Sequence, residues 1–102
     1  MFTIGVTARL TGLSQRQLRS LEAKQIVVAG RTTRGRRLYS LYDLERLRFL
    51  GHLMSRRKVN TAGLVVALEL LDRLPQQERN QYLETVLVED QATGEPDESD
   101  PL

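Results

Sequence analysis

Apolar positions in the first sixty residues recur at helical intervals, and each run carries its own start and stop signals. Ile4 and Ala8 share one face of a helix over residues 4–11, which Thr3 can cap and Gly12 can end in a left-handed turn. Ser14 opens a second helix, and Gln17, three positions on, completes a capping box. Leu13 before that cap and Leu18 inside the helix have the spacing of a hydrophobic staple. Two short helices joined by so tight a turn make a helix-turn-helix. On the second of them Leu18 and Leu21 face inward, which leaves Gln15, Arg16 and Arg19 facing out.

After Lys24 the period changes. Ile26-Val27-Val28 is β-branched, and the polar stretch over residues 31–37 contains Gly35. This predicts a two-stranded hairpin, residues 28–31 against 36–39, with its tip near residues 33–35. Ser40 caps a third helix over 41–56, with Asp43 in its first turn and Leu44, Leu47, Leu50 and Met54 as the core stripe. Asn60 or Thr61 starts a fourth helix, in which Leu64, Leu68 and Leu71 are the buried positions. Pro75 stops it and suits the first turn of a fifth, residues 76–88. There Tyr82, Leu83, Val86 and Leu87 form a stripe too short to hold an isolated helix, so it needs a partner surface. Residues 89–102 are acidic, nearly without apolar side chains, and are expected to be disordered.

The pattern therefore predicts a mainly α chain with a small β-hairpin, a winged helix-turn-helix DNA-binding domain over residues 1–74. A short amphipathic helix over 75–88 follows as a candidate dimerisation or docking element, then an acidic tail over 89–102. Such a chain, of 102 residues, has room for one modest core.

Charge sharpens this picture. Residues 1–60 hold thirteen Lys and Arg against three acids, and residues 61–102 hold two against ten, although the net charge is only +2. A basic half of this strength supplies a field that attracts polyanions. Chemistry of other kinds is scarce. The chain has no cysteine, which excludes disulfides and thiolate metal sites, and a single histidine, His52, read as structural or surface. No carboxylate pair, serine–histidine arrangement, phosphate-cradling glycine loop or metal-ligand cluster stands out. An enzyme, a cofactor and a metal are not expected. No apolar run approaches the length of a membrane span and no signal-peptide pattern opens the chain, so the cytoplasm and its nucleoid are the expected location.

The candidate DNA contacts divide by role. Arg16, early on the second helix, can donate two hydrogen bonds to guanine O6 and N7 in the major groove. Gln15 beside it can pair with adenine or bind a phosphate. Arg19 is expected on the DNA backbone or paired with Glu22. Around Gly35, the guanidinium forks of Arg34, Arg36 and Arg37 suit phosphate oxygens. Arg31 is read as an internal partner of Asp43 or Glu45. Tyr39 is expected to pack its ring in the core and point its hydroxyl at a phosphate. Glu69, Asp72, Glu78 and Glu84 look like solvated faces.

Several motifs together resemble the mercury-resistance-regulator (MerR) family of bacterial transcription regulators. They are Phe2-Thr3-Ile4-Gly5, Ala8-Arg9-Leu10-Thr11-Gly12-Leu13-Ser14, Leu18-Arg19, Glu22, Gly35-Arg36-Arg37-Leu38-Tyr39-Ser40 and Asp43-Leu44-Glu45-Arg46-Leu47. Val59-Asn60-Thr61-Ala62-Gly63-Leu64 further resembles the branch that holds the heat-shock and glutamine-synthetase repressors. The resemblance covers roughly residues 2–71. It implies a homodimer on palindromic double-stranded DNA, the second helix in the major groove and the wing on the flanking backbone, with repression as the usual outcome in that branch. It gives Arg19, Arg37 and Tyr39 DNA-contact roles, and allows RNA polymerase or another protein as a further partner. Ser20 and Leu21 depart from the family's aromatic residues, Gln25 from its usual glycine, and Ala29 from a common proline. Two other readings are open, and the first of them fits the same basic half. One is an architectural DNA-bending protein of the recombination-directionality kind; the other is an adaptor that binds a protein through the helix over 76–88. The tail could also compete with DNA for the wing.

Overall fold

The computed structural model describes the backbone of residues 1–94 and the side chains of residues 1–86. Five helices and one hairpin follow in the order α1 Ile4–Thr11, α2 Gln15–Ala23, β1 Gly30–Arg31, β2 Arg37–Leu38, α3 Leu41–Arg56, α4 Thr61–Arg73 and α5 Gln76–Gly94. The helix starts lie where the cap signals placed them. Ser14 and Ser40 each accept from the backbone N–H three residues on, at 3.0 and 3.1 Å, and Gln17 and Asp43 return the bond to complete capping boxes. Asn60 caps α4 by accepting from the Gly63 N–H at 2.9 Å. Gly12 ends α1 at φ 79°, a left-handed geometry that lets the chain turn at once into α2.

The end of α2 is less usual. Gln25, a residue with a side chain, also stands at positive φ (61°). Its N–H bonds the Glu22 carbonyl and the Ile26 N–H bonds the Leu21 carbonyl, both at 2.9 Å, which is a Schellman closure of the helix. Ile26 then packs on the same core as Leu21, the hydrophobic contact that accompanies this motif.

The hairpin forms where the change of period put it, with shorter strands than predicted. Gly30 pairs with Leu38 and Arg31 with Arg37, while Val28 lies outside the ladder and is exposed. The strand carrying Arg37 is extended instead by the N-terminus: Phe2 and Tyr39 exchange two backbone hydrogen bonds of 2.8 Å. The wing is thereby tied to the residue just before α1, which compensates for strands too short to stand alone.

One core joins these parts. Leu18, Leu47 and Leu50 are fully buried, with Leu13, Leu21, Leu44, Phe49, Leu64, Leu68 and Leu71 packed around them. Tyr39 is 1% exposed and belongs to this core. His52 is buried on α3 as well. The stripe on α5 finds its partner within the chain. Leu83 and Val86 are buried against the core, and Tyr82 meets Phe49 of α3 edge-on at 5.7 Å between ring centroids. A polar tie completes this layer: Asp72 of α4, expected on a solvated face, accepts from Tyr42 and pairs with Arg46 of α3, while Arg79 of α5 stacks on the Tyr42 ring.

The fifth helix is longer than predicted. Its backbone continues as helix past Val88 to Gly94, into the acidic stretch over 89–102. Glu89, Gln91 and Ala92 are adequate helix formers, and adding residues to an existing helix costs far less than nucleating one. The side chain of Leu87 and residues 95–102 lie outside the described part of the chain.

Two expected outcomes follow from these contacts. Replacing Gln25 by glycine relieves a left-handed residue and should raise the unfolding free energy by about 1 kcal/mol in a urea titration. Leu83→Ala should lower it by about 2–4 kcal/mol, because α5 is part of the core; a loss near zero would mean that α5 does not pack there in solution.

Candidate nucleic-acid interface

The outward face of α2 exists because its inward face is fully used. Leu18 and Leu21 are buried, so Gln15, Arg16 and Arg19 on the remaining arc are exposed. The turn before the helix is fixed from below: Leu13 is buried beside Gly51 of α3, where a Cβ would stand 3.5 Å from the leucine side chain. Arg19 does not pair with Glu22. It donates to Gln15 Oε1 at 3.2 Å, one helical turn back, so these two exposed side chains form a single polar unit. Arg16 has no hydrogen-bond or ion-pair partner among the described residues.

The wing tip is shaped by Thr32, a residue the sequence reading passed over. Its carbonyl accepts from the Gly35 N–H at 2.9 Å, and its hydroxyl accepts from the N–H groups of Arg34 (3.2 Å) and Arg36 (3.1 Å). A threonine at the start of a glycine-containing turn is the local signal for this arrangement. Gly35 takes φ 82°, which brings the chain back sharply. Arg34 and Arg36 leave this tip exposed, with their guanidinium groups unpaired among the described residues. An open groove of about 400 Å³ lies beside them, lined by Thr3, Ile4, Gly35, Arg36 and Arg37.

The other two wing arginines behave differently. Glu22, in the last turn of α2, pairs through one carboxylate oxygen with Arg31 Nη2 at 2.8 Å and through the other with Arg37 Nε. Arg31 also donates to the Gly35 carbonyl at 3.2 Å. The partner of Arg31 is therefore Glu22, not Asp43 or Glu45, and Arg37 is turned partly inward, away from the free cations with which it was grouped. The sequence carried no local sign of this: Glu22 lies nine residues from Arg31 and fifteen from Arg37, separations that no local pattern links.

Tyr39 also departs from expectation. Its hydroxyl is buried and has no hydrogen-bond partner among the described residues, so it does not present itself to a phosphate on the surface. Burial, reinforced by the nearby Glu22 carboxylate, holds the phenol above its ordinary range and keeps it neutral. The group's contribution to stability is thus complete below about pH 10 and is lost as pH rises through its elevated native value. Among the described side chains of the α5 stripe, Tyr82 stays half exposed.

A family model for MerR helix-turn-helix regulatory proteins matches residues 2–70. The chain belongs to that family. It is also 45% identical, over 47 residues, to the HTH-type transcriptional regulator TnrA of Bacillus subtilis (strain 168). That match covers 46% of this chain and 43% of the relative, so the similarity spans less than half of either protein. The family resemblance carried by the opening motifs is thereby established, as is the mainly helical winged helix-turn-helix fold. The departures from the family pattern now have structural places: Gln25 occupies the left-handed closure of α2, where glycine would be unstrained, and Ala29 is buried just before β1.

The residues expected to touch DNA thus separate into three groups. Gln15, Arg16 and Arg19 lie on one exposed helix face. Arg34 and Arg36 lie on the exposed tip of the wing. Arg37 and Tyr39 are drawn inward. Among the described residues no group of histidine, cysteine and carboxylate side chains could hold a metal ion, and no helix is long and apolar enough to cross a membrane.

A direct check on Thr32 is available. Thr32→Val keeps the shape of the side chain and removes the acceptor that holds two tip N–H groups; duplex binding should weaken several-fold while thermal stability changes by about 1 kcal/mol or less. Equal losses in both would mean that the turn matters for folding and not for the interface.

Proposed function

We propose that this MerR-family chain is a sequence-specific double-stranded DNA-binding regulator, that it binds a palindromic site as a homodimer in the bacterial cytoplasm, and that it acts as a repressor. The observation that carries the reading is the pair of exposed cationic surfaces, α2 with Arg16 and the wing tip with Arg34 and Arg36, set on one rigid framework. The exposed position of Arg16 near the start of α2 supports a base-reading role, in which it donates two hydrogen bonds to a guanine edge. Gln15 and Arg19 present a paired amide and guanidinium beside it. Arg34 and Arg36, without partners among the described residues, suit phosphate oxygens, which fix register without reading sequence.

A homodimer is supported by exposed apolar side chains of α4 and α5. Val66, Leu70 and Tyr82 are each roughly half exposed, and an open apolar groove of about 430 Å³ runs between α4 and α5 beside Phe49 and Leu53. Two copies joined there would bring two recognition helices into one assembly, as a palindromic site requires. The burial of Leu83 and Val86 weighs against an adaptor acting through that stripe, since those positions are spent on α3. Repression is supported by the resemblance to the repressor branch.

If each protomer neutralises about four phosphates, log K should fall against log[salt] with a slope of about −7 for the dimer, measured by titration of a labelled duplex. A flat salt response would remove the electrostatic basis of the reading. Arg16→Ala should cost about 1–3 kcal/mol on the preferred site and relax sequence preference there. Arg36→Ala should weaken preferred and scrambled duplexes to a similar extent, and lower the slope by about 1 per protomer. The reverse pattern would mean that the two surfaces exchange reading and positioning roles. Mapping of bound genomic fragments, followed by footprinting, separates symmetric promoter sites from the phased sites of a DNA-bending protein.

A further inference from the structure

The carboxylate of Glu22 sits between the two surfaces that the proposed function requires, and its position there is costly for a protein that binds a polyanion. It lies on the last turn of α2, its side chain is 16% exposed, and it divides its two oxygens between Arg31 and Arg37. Those arginines stand directly opposite each other on β1 and β2. One acid on the recognition helix therefore holds both strands of the wing. Arg31 carries the restraint further, to the tip, through its bond to the Gly35 carbonyl.

We propose that Glu22 is a positioning residue that locks the wing to α2 and sets sequence discrimination at the expense of total affinity. The inference rests on the DNA-binding reading given above. Base contacts made by α2 and phosphate contacts made by the wing are productive together only when the angle between the two is fixed. A wing whose angle varied would have to be ordered on binding, and that ordering would be charged against the specific complex. Phosphate contacts alone impose no such demand, because any stretch of duplex offers them. The clamp also withdraws cationic strength: it partners two arginines that would otherwise seek phosphates, and adds a negative charge near the duplex. It thus weakens non-specific binding while it preserves the specific geometry. Both effects raise the ratio between the two.

The test compares the wild-type chain with Glu22→Gln, Arg31→Gln and Glu45→Gln. Glu45 is an exposed acid of α3, so its variant removes an equal charge without touching the clamp. Each protein is titrated over a range of salt against two probes: a duplex selected by the wild type from a randomised pool, and a scrambled duplex of the same length and composition. For Glu22→Gln the ratio of affinities should fall on the order of tenfold. Its salt slope on the scrambled duplex should steepen by about 1 per protomer. Arg31→Gln, which opens the more exposed limb of the clamp, should lower the ratio in the same direction. Glu45→Gln should leave the ratio within about twofold. Partial unfolding of a variant does not confuse the result, because both probes sample the same folded fraction and it cancels in the ratio. Full discrimination retained by Glu22→Gln, or an equal loss in Glu45→Gln, overturns the inference alone. A wild-type chain that binds no duplex, or selects no sequence from the pool, overturns the proposed function and this inference with it.

Discussion

Everything in this molecule depends on burying one side of a nine-residue helix so completely that its other side can stay bare. A helix of that length does not persist on its own in water. Here Leu18 is fully buried and Leu21 nearly so, and together they anchor α2 in the shared core. Each buried leucine contributes roughly 1.5–3 kcal/mol relative to exposure, more than any surface contact of the helix can. Caps at both ends complete the support: Ser14 and Gln17 at the start, and the Schellman closure through Gln25 and Ile26 at the end. The exposed arginines consequently carry none of the folding load, and are free to be chosen for what they bind.

The wing solves a related problem by other means. It has two paired residues in each strand and little apolar surface of its own. Three attachments hold it: Phe2 pairing with Tyr39, the buried Tyr39 ring, and the Glu22 ion pairs. An isolated surface ion pair contributes little to stability, commonly under about 1 kcal/mol. Glu22 differs in that one partly buried carboxylate restrains two strands at once. Its effect is on geometry more than on stability. The same division runs through the basic half of the chain, where Arg31 and Arg37 build the frame and Arg16, Arg34 and Arg36 have no partner among the described residues.

What could be read from the sequence follows from the range of each interaction. Capping boxes, the Gly12 turn and the leucine stripes of α3 and α4 are local, so their spacing alone placed the helices. The hairpin was legible from its change of period, but not its strand lengths, because those depend on Phe2 arriving from the other end of the segment. Pairing across the fold was not legible. Arg31 has Glu22 on one side of it in the chain and Asp43 and Glu45 on the other, and spacing does not choose among them; the carboxylate that reaches it comes from α2. Tyr39 was correctly read as a core ring, but the depth that buries its hydroxyl is a tertiary property. The α5 stripe was seen and its need for a partner understood; that the partner is α3 of the same chain depends on the turn at Leu74 and Pro75. Of the candidate site, the helix face and the wing tip were visible as exposed basic positions. Their connection through Glu22 was not, since an acid in a basic half reads as noise until its neighbours are known.

That connection changes how the charge asymmetry should be understood. Thirteen cations against three acids in residues 1–60 suggests a surface built for attraction alone. Yet each of the three acids has a definite place: Asp43 completes the cap of α3, Glu22 holds the wing, and Glu45 lies exposed on α3. Cations of this half are likewise spent, Arg46 on Asp72 and Arg19 on Gln15. A surface made only for attraction would leave such groups free, because non-specific affinity grows with every phosphate neutralised. A reader of sequence has the opposite requirement: its cations must be few, fixed and correctly spaced, since each surplus one strengthens wrong sites as much as right ones. The arrangement of paired and unpaired arginines in α2 and the wing fits the second requirement better than the first.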